Sequence, residues 1–96
     1  DNDGLVDANE TVRITFSEPV VVDTASTNIT HSGTGFGIGT LTDSTERVNY
    51  IDVTVTALAS SGNGTITIAS GALTSASGTV NGSAITFNID STGHIL

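Results

Sequence analysis

The chain has no cysteine, methionine or tryptophan, no lysine beside its two arginines (Arg13 and Arg47), and a single proline, Pro19. Without cysteine there is no disulfide staple, no thiol chemistry and no cysteine-based zinc site. Two cations against ten carboxylates give a net charge of −8. Phosphate backbones are bound by clusters of Lys and Arg, so this balance excludes nucleic acid as a partner. It equally disfavours an anionic membrane surface. No apolar run approaches membrane-spanning length and no signal-peptide pattern is present. Aromatics are scarce: Phe16, Phe36, Tyr50 and Phe87. Phe16 and Phe87 carry core phase, which leaves Phe36 or Tyr50 as an exposed platform for a sugar.

Thr, Ser and Gly are abundant instead, with apolar residues regularly placed among them. This is the composition of a β-rich domain with many turns. Ninety-six residues make one domain with a small core. A domain of this size without disulfides gains from a metal or a neighbouring domain.

The dominant period is two. Val12, Ile14 and Phe16 alternate with Thr11, Arg13 and Thr15, as in a half-buried strand. Val20–Val22 reads as a separate short run after Pro19, which suits a strand start or an edge. Asn28–Thr30 is a further short strand. Phe36 and Ile38 alternate with Gly37 and Gly39, a pattern that marks a bulge or close backbone approach. Arg47–Leu58 is the longest strand, with a phase change at Tyr50 and Ile51 that suggests a bulge. Asn63-Gly64 is a hairpin signal, because both residues tolerate positive φ. Ile66 and Ile68 follow as a strand. Residues 69–76, around Leu73, read as a short strand or a helical turn. Asn81-Gly82 is a second turn signal, and Ile85, Phe87 and Ile89 form the last strand. No helix is predicted. About seven short strands with frequent turns indicate an all-β antiparallel sandwich.

The chain opens on Asp1-Asn2-Asp3-Gly4-Leu5-Val6-Asp7-Ala8-Asn9-Glu10. This fits the calcium loop D-x-[DN]-x-[DN]-G-x₅-E when Asp1 is taken as loop position three. Asp1, Asp3 and Asp7 would then supply carboxylates, Leu5 its carbonyl and Glu10 both oxygens. Gly4 would make the sharp turn, and Val6 would point into the core. The first ligand position would precede Asp1, so the chain is expected to be part of something longer. Asp90, at the end of the last strand, is the further candidate ligand at a junction between modules. The alternative for this stretch is a solvated acidic loop in which Asp3-Gly4 serves only as a turn. Residues 1–10 thus read as a calcium-type leading loop, 10–92 as the domain and 93–96 as an exit linker.

Glu10 to Val20, with Thr-Val-Arg-Ile-Thr-Phe-Ser-Glu-Pro-Val at its centre, resembles the first strand of bacterial Ig-like repeats, which reads T-V-x-I-T-F-S-E-x-V. Thr27-Asn28-Ile29-Thr30 is similar to their x-N-I-T segment. Gly64 to Thr74 resembles their G-x-x-T-v-x-I-a-a-G-a-l-t stretch, and Ile85 to Thr92 their terminal strand. Where many such repeats continue Asp-Ala-Ala-Gly, this chain has Ser75-Ala76-Ser77-Gly78 and lacks that carboxylate. The resemblance implies an Ig-like sandwich in a large secreted or cell-surface bacterial protein: an adhesin, biofilm or surface-layer protein. It implies a spacer or adhesion repeat whose partners are neighbouring repeats of the same chain, with calcium between modules. The alternative is a binding module for glycan or a surface protein, appended to a secreted protein or enzyme.

Catalysis has no pattern to rest on. No G-x-S-x-G elbow occurs, and His31 and His94 are expected as exposed polar residues. Gly33 to Gly39 resembles a phosphate-cradling loop only in its glycines, without the Lys-Ser/Thr ending. Asn28, Asn63 and Asn81 begin formal glycosylation sequons. The chain is expected not to be an enzyme.

Overall fold

The computed structural model describes residues 4–25, 28–41, 43 and 46–96. Seven strands form two antiparallel sheets, and no helix occurs among the described residues. The strands are β1 (Glu10–Val22), β2 (Ile29–Ser32), β3 (Gly37–Ile38), β4 (Val48–Ala57), β5 (Asn63–Ile68), β6 (Leu73–Ser75) and β7 (Ile85–Asp90). One sheet runs β3-β4-β1-β6, the other β2-β5-β7. This is the all-β sandwich expected from the period of two.

The core lies between the sheets. Ile14, Val20, Val22, Ile51, Val53, Val55 and Leu73 face it from the first sheet, and Ile29, Ile66, Ile68 and Ile89 from the second. Burying each such side chain contributes about 1.5–3 kcal/mol relative to exposure. Val12 pairs with Val53 and Ile14 with Ile51, so the inward phases of β1 and β4 coincide. The outward phase is polar. Arg13 lies opposite Asp52 and grips it with hydrogen bonds of 2.8 and 3.0 Å, while its guanidinium sits 3.9 Å over the Tyr50 ring. On the outer face of the second sheet Thr30, Thr67 and Thr86 form one row, and Ser32, Thr65 and Asn88 the next.

Several local expectations change. β1 is one strand of 13 residues, not two. Thr15 pairs with Tyr50 and Val20 with Val48, so β1 advances five residues while β4 advances two. Phe16–Pro19, four residues opposite Asn49 alone, form a bulge, and Pro19 sits where no ladder N–H is required. Val20–Val22 then pair with β6 on the other side. The irregularity expected near Tyr50 and Ile51 is this same register shift, which falls between Tyr50 and Val48 with the extra residues on β1; Tyr50 and Ile51 themselves stay paired with Thr15 and Ile14. Tyr50 belongs to the outer face, held under Arg13.

Asn63-Gly64 is not a hairpin turn. The reversal occurs just before it, with Gly62 at φ 66°, and the chain crosses from one sheet to the other. Gly64 lies inside β5, where an added Cβ would overlap the Phe36 ring. The glycine serves packing rather than turning. The Gly-rich segment 33–39 delivers Phe36 into the core at 6% exposure, so Phe36 is not an exposed platform. The expected irregularity does occur here: Gly37 pairs with Ala57 and Ile38 with Val55, which leaves Thr56 without an opposite number. Residues 73–75 form a strand rather than a helical turn.

Candidate functional site: the leading loop and the turn that meets it

Gly4 has φ 80°, the left-handed conformation that the calcium-loop alignment requires of it, with open space around its Cβ position. Leu5 is half-buried. Val6 enters the core, as its loop position predicts. Residues 7–10 then make one turn before β1. The Glu10 N–H donates to the Asp7 carbonyl at 3.1 Å, and the Asp7 N–H donates to Glu10 Oε1 at 2.6 Å. This is the arrangement by which a carboxylate three residues on satisfies an orphan amide at a helix start, here used ahead of a strand. Asn9 takes φ 71° and donates its amide to the Val55 carbonyl at 2.6 Å, which anchors the turn to β4.

The end of β7 meets this loop. The Val6 N–H donates to the Gly93 carbonyl at 2.9 Å, and Gly93 is itself buried at φ 100°. Asp90 organises the turn. Its Oδ1 accepts from the Thr92 N–H at 3.0 Å, the Thr92 hydroxyl at 2.7 Å and the His94 N–H at 2.9 Å. Oδ2 lies 3.2 Å from His94 Nδ1. The His94 amide first, then the Thr92 hydroxyl, hold the Asp90 carboxyl down at about 2. Asp90 therefore stays ionised at any ordinary pH, with one oxygen fully engaged by its own turn. Past it the chain reverses: Ile95 bridges to Ile89 and the Leu96 N–H donates to the Asn88 carbonyl at 2.9 Å. Residues 93–96 thus lie against the domain.

Of the expected calcium ligands, Asp1 and Asp3 lie outside the described residues. Leu5, Asp7 and Glu10 share one turn-rich segment, and the Val6–Gly93 bond brings the Asp90 turn against it. Among the described residues no three carboxylate or imidazole groups converge closely enough to hold a metal ion. Three further carboxylates, Asp23, Asp43 and Asp52, serve local structure. Asp23 Oδ1 accepts the Ala25 amide at 3.0 Å. Asp43 accepts the Thr24 hydroxyl and amide, and is held below its ordinary range by them, the hydroxyl first. Asp52 is lowered by Arg13, chiefly through their hydrogen bonds. His31 and His94 are both exposed, and His31 lies edge-on to Phe36.

The role of Thr92 and His94 in closing the Asp90 turn is absent from the sequence reading. Its signal was the Asp-x-Thr spacing, in which a side chain bonds the backbone two residues on. The sequence marks Asn81 as a turn residue and a formal glycosylation sequon, but not as a side-chain clasp. In fact its Oδ1 accepts the Leu73 amide at 3.0 Å, and its Nδ2 donates to the Ala69 carbonyl at 2.9 Å and the Ser83 carbonyl at 3.0 Å. No protein-family model, curated protein or solved structure matches the chain.

Proposed function

We propose that the domain is an Ig-like structural spacer or adhesion repeat of a secreted or cell-surface bacterial protein, with calcium stiffening the junction at its leading loop. The observation that carries this reading is the return of Glu10 Oε1 over the loop to the Asp7 amide, together with the left-handed Gly4. Both are what a cation-wrapping loop needs of its closing carboxylate and its sharp turn. Asp1, Asp3, Asp7 and Glu10 would hold the ion by carboxylate and Leu5 by its carbonyl, with Asp90 the candidate from a junction. The ion would neutralise mutually repelling carboxylates and so fix the direction in which the chain enters the sandwich. The Val6–Gly93 bond couples that segment to the end of β7, so order in the loop is transmitted to the domain.

The test is a calcium titration by calorimetry, with thermal melts run alongside. At tenfold the dissociation constant, bound calcium raises stability by about 1.4 kcal/mol, or roughly 5–10 °C in Tm for a domain of this size. Glu10→Gln abolishes that shift and Asp52→Asn leaves it intact. A chain of two joined copies lengthens in small-angle scattering when calcium is added. Absence of heat, Tm shift and change in length in calcium at about 10 mM, an order above the weak extracellular range, sinks the calcium reading.

A further inference from the structure

Two asparagines of this chain precede glycine, Asn63 and Asn81. An Asn-Gly pair carries its own nucleophile. The glycine amide nitrogen attacks the asparagine side-chain carbonyl carbon, unhindered because glycine has no Cβ. The fold treats the two pairs in opposite ways. Asn88 and Asp90 turn their backbone groups outward, to Leu96 and His94, so Ile89 between them turns its own inward, to Gly64. The Gly64 amide is thus a rung of the β5–β7 ladder, and Gly64 is buried with the Phe36 ring packed on it. It cannot reach the Asn63 side chain unless β5 leaves the sandwich.

At the second pair the nucleophile is free. Gly82 is exposed, and among the described residues no hydrogen bond takes its amide. What holds the reaction back is the electrophile. The Asn81 carboxamide is clasped by the Leu73 amide on Oδ1 and by the Ala69 and Ser83 carbonyls on Nδ2. Its backbone is tied as well: the N–H donates to the Leu73 carbonyl at 3.2 Å, and the carbonyl accepts from the Gly71 amide at 2.9 Å. Yet the segment that carries the clasp is lightly held. Residues 76–80 and 82–84 are all exposed. Beyond the Asn81 contacts, the Ser75–Thr79 bond and the Thr74–Val80 bridge fasten it to β6. A segment with so little buried apolar surface opens locally at far less cost than the whole domain.

We propose that Asn81-Gly82 is a self-modifying site: opening of the clasp in the otherwise folded chain lets Asn81 convert to aspartate and isoaspartate, which releases residues 79–83 from β6. A solvent base takes the Gly82 amide proton as its nitrogen bonds to Asn81 Cγ. The Cγ–Nδ2 bond breaks, and Nδ2 leaves as ammonia with a proton from water. Water then adds to either carbonyl of the cyclic imide and opens it to the aspartyl or the isoaspartyl chain. The change is one-way. An aspartate there still accepts the Leu73 amide, but it has no donor for Ala69 or Ser83 and sets its charge against their carbonyls. An isoaspartate routes the backbone through Cβ, lengthens it and breaks its register with β6. The same segment walls a cleft of about 390 Å³ beside β7, whose other walls are the β1 bulge at Phe16–Glu18 and the side chains of Ile85 and Phe87. Release of residues 79–83 opens that cleft.

Peptide mapping by mass spectrometry of the folded chain, held at mildly alkaline pH and sampled over time, tests this. The expected result is the aspartyl and isoaspartyl pair of products at Asn81, with Asn63 intact; in denaturant both asparagines react. The Leu73 amide, which Asn81 Oδ1 covers, sets the timing. Folding slows Asn81 by the same factor as it slows exchange of that amide, since both wait for the clasp to open. Converted chains lose protection at the Leu73 and Gly71 amides. Gly82→Ala adds a methyl that meets nothing within 4 Å, on a backbone without positive φ, so the variant folds. It hinders the attacking nitrogen and slows conversion at least about tenfold, equal to about 1.4 kcal/mol on the barrier. Reaction of Asn63 as fast as Asn81 in the folded chain overturns the proposal, as does an unchanged rate in Gly82→Ala. So does Asn81 left intact past the time that Leu73 exchange allows for it, or a converted chain whose Leu73 and Gly71 amides stay protected.

Discussion

The amide of Val6 donates to the carbonyl of Gly93, and the two backbones touch so closely that a Cβ on Gly93 would strike the Val6 carbonyl oxygen. Gly93 also has φ 100°, a conformation that side chains resist. Gly93→Ala is therefore expected to destabilise the fold by about 2–3 kcal/mol and to free the leading loop. Gly4→Ala meets nothing within 4 Å and carries only the positive-φ penalty, about 1 kcal/mol. Denaturant midpoints of the two variants, with amide exchange at Val6, check the contrast. Equal midpoints would show that the contact with Val6 contributes little.

Asn81 holds three backbone groups with one side chain, fastening the Ala69–Leu73 segment beside β6. Asn81→Ala leaves the Leu73 amide and the Ala69 carbonyl without these partners. At about 1 kcal/mol per lost hydrogen bond, the expected loss is roughly 2–3 kcal/mol. Asn81→Asp keeps the acceptor for Leu73 but loses both donors, and falls between. A loss under half of this for Asn81→Ala would mean that water replaces the side chain freely.

Phe36 and Gly64 form a matched pair. Phe36→Ala removes a buried ring and is expected to cost about 3–5 kcal/mol. Gly64→Ala forces a methyl into the space of that ring. The double variant should be markedly less destabilised than the sum, because the methyl then occupies space the ring has left. Additive losses in urea melts would refute the pairing.

Acid should weaken the turn at Asp90. Its carboxyl ordinarily titrates near 3.8 and is held at about 2 in the fold. A carboxyl that is more acidic folded than unfolded stabilises at pH above its unfolded value, and that stabilisation is lost as pH falls from about 3.8 to about 2. Asp52 and Asp43 act in the same direction. Asp90→Asn retains an oxygen for Thr92 and His94 but cannot titrate. Its stability should fall less steeply than the parent's across that window, as read by urea denaturation at stepped pH. Parallel curves would show that the Asp90 turn does not contribute.

Strand phase was legible in the sequence wherever a strand has one buried face. Val12 and Ile14, Ile66 and Ile68, and Ile85, Phe87 and Ile89 all point where their alternation places them. Long-range causes were not legible. Gly64 looks like turn chemistry locally, yet Phe36, far off in sequence, dictates it. Pro19 looks like a strand start because a bulge within a single strand leaves no local mark. Tyr50 breaks the phase of β4 only on paper, since Arg13 holds it on the outer face. In the candidate site, the geometry of Gly4, Asp7 and Glu10 is local and could be read from spacing. The cleft beside β7 draws its walls from β1, β6, β7 and the segment at Val80, and no single stretch of sequence announces it.

The bulge at Phe16–Pro19 has a consequence for how β1 tolerates change in length. Between Thr11 and Thr15, deleting one residue would turn Ile14 outward and Arg13 inward, since each position is tied to a partner on β4. Within Ser17–Pro19 the chain already carries surplus residues. Adding or dropping one there alters the depth of the bulge and leaves the pairings on either side in register. Insertions in β1 are thus permitted at the wall of the cleft, where they would reshape what it can hold while the sandwich stays as it is.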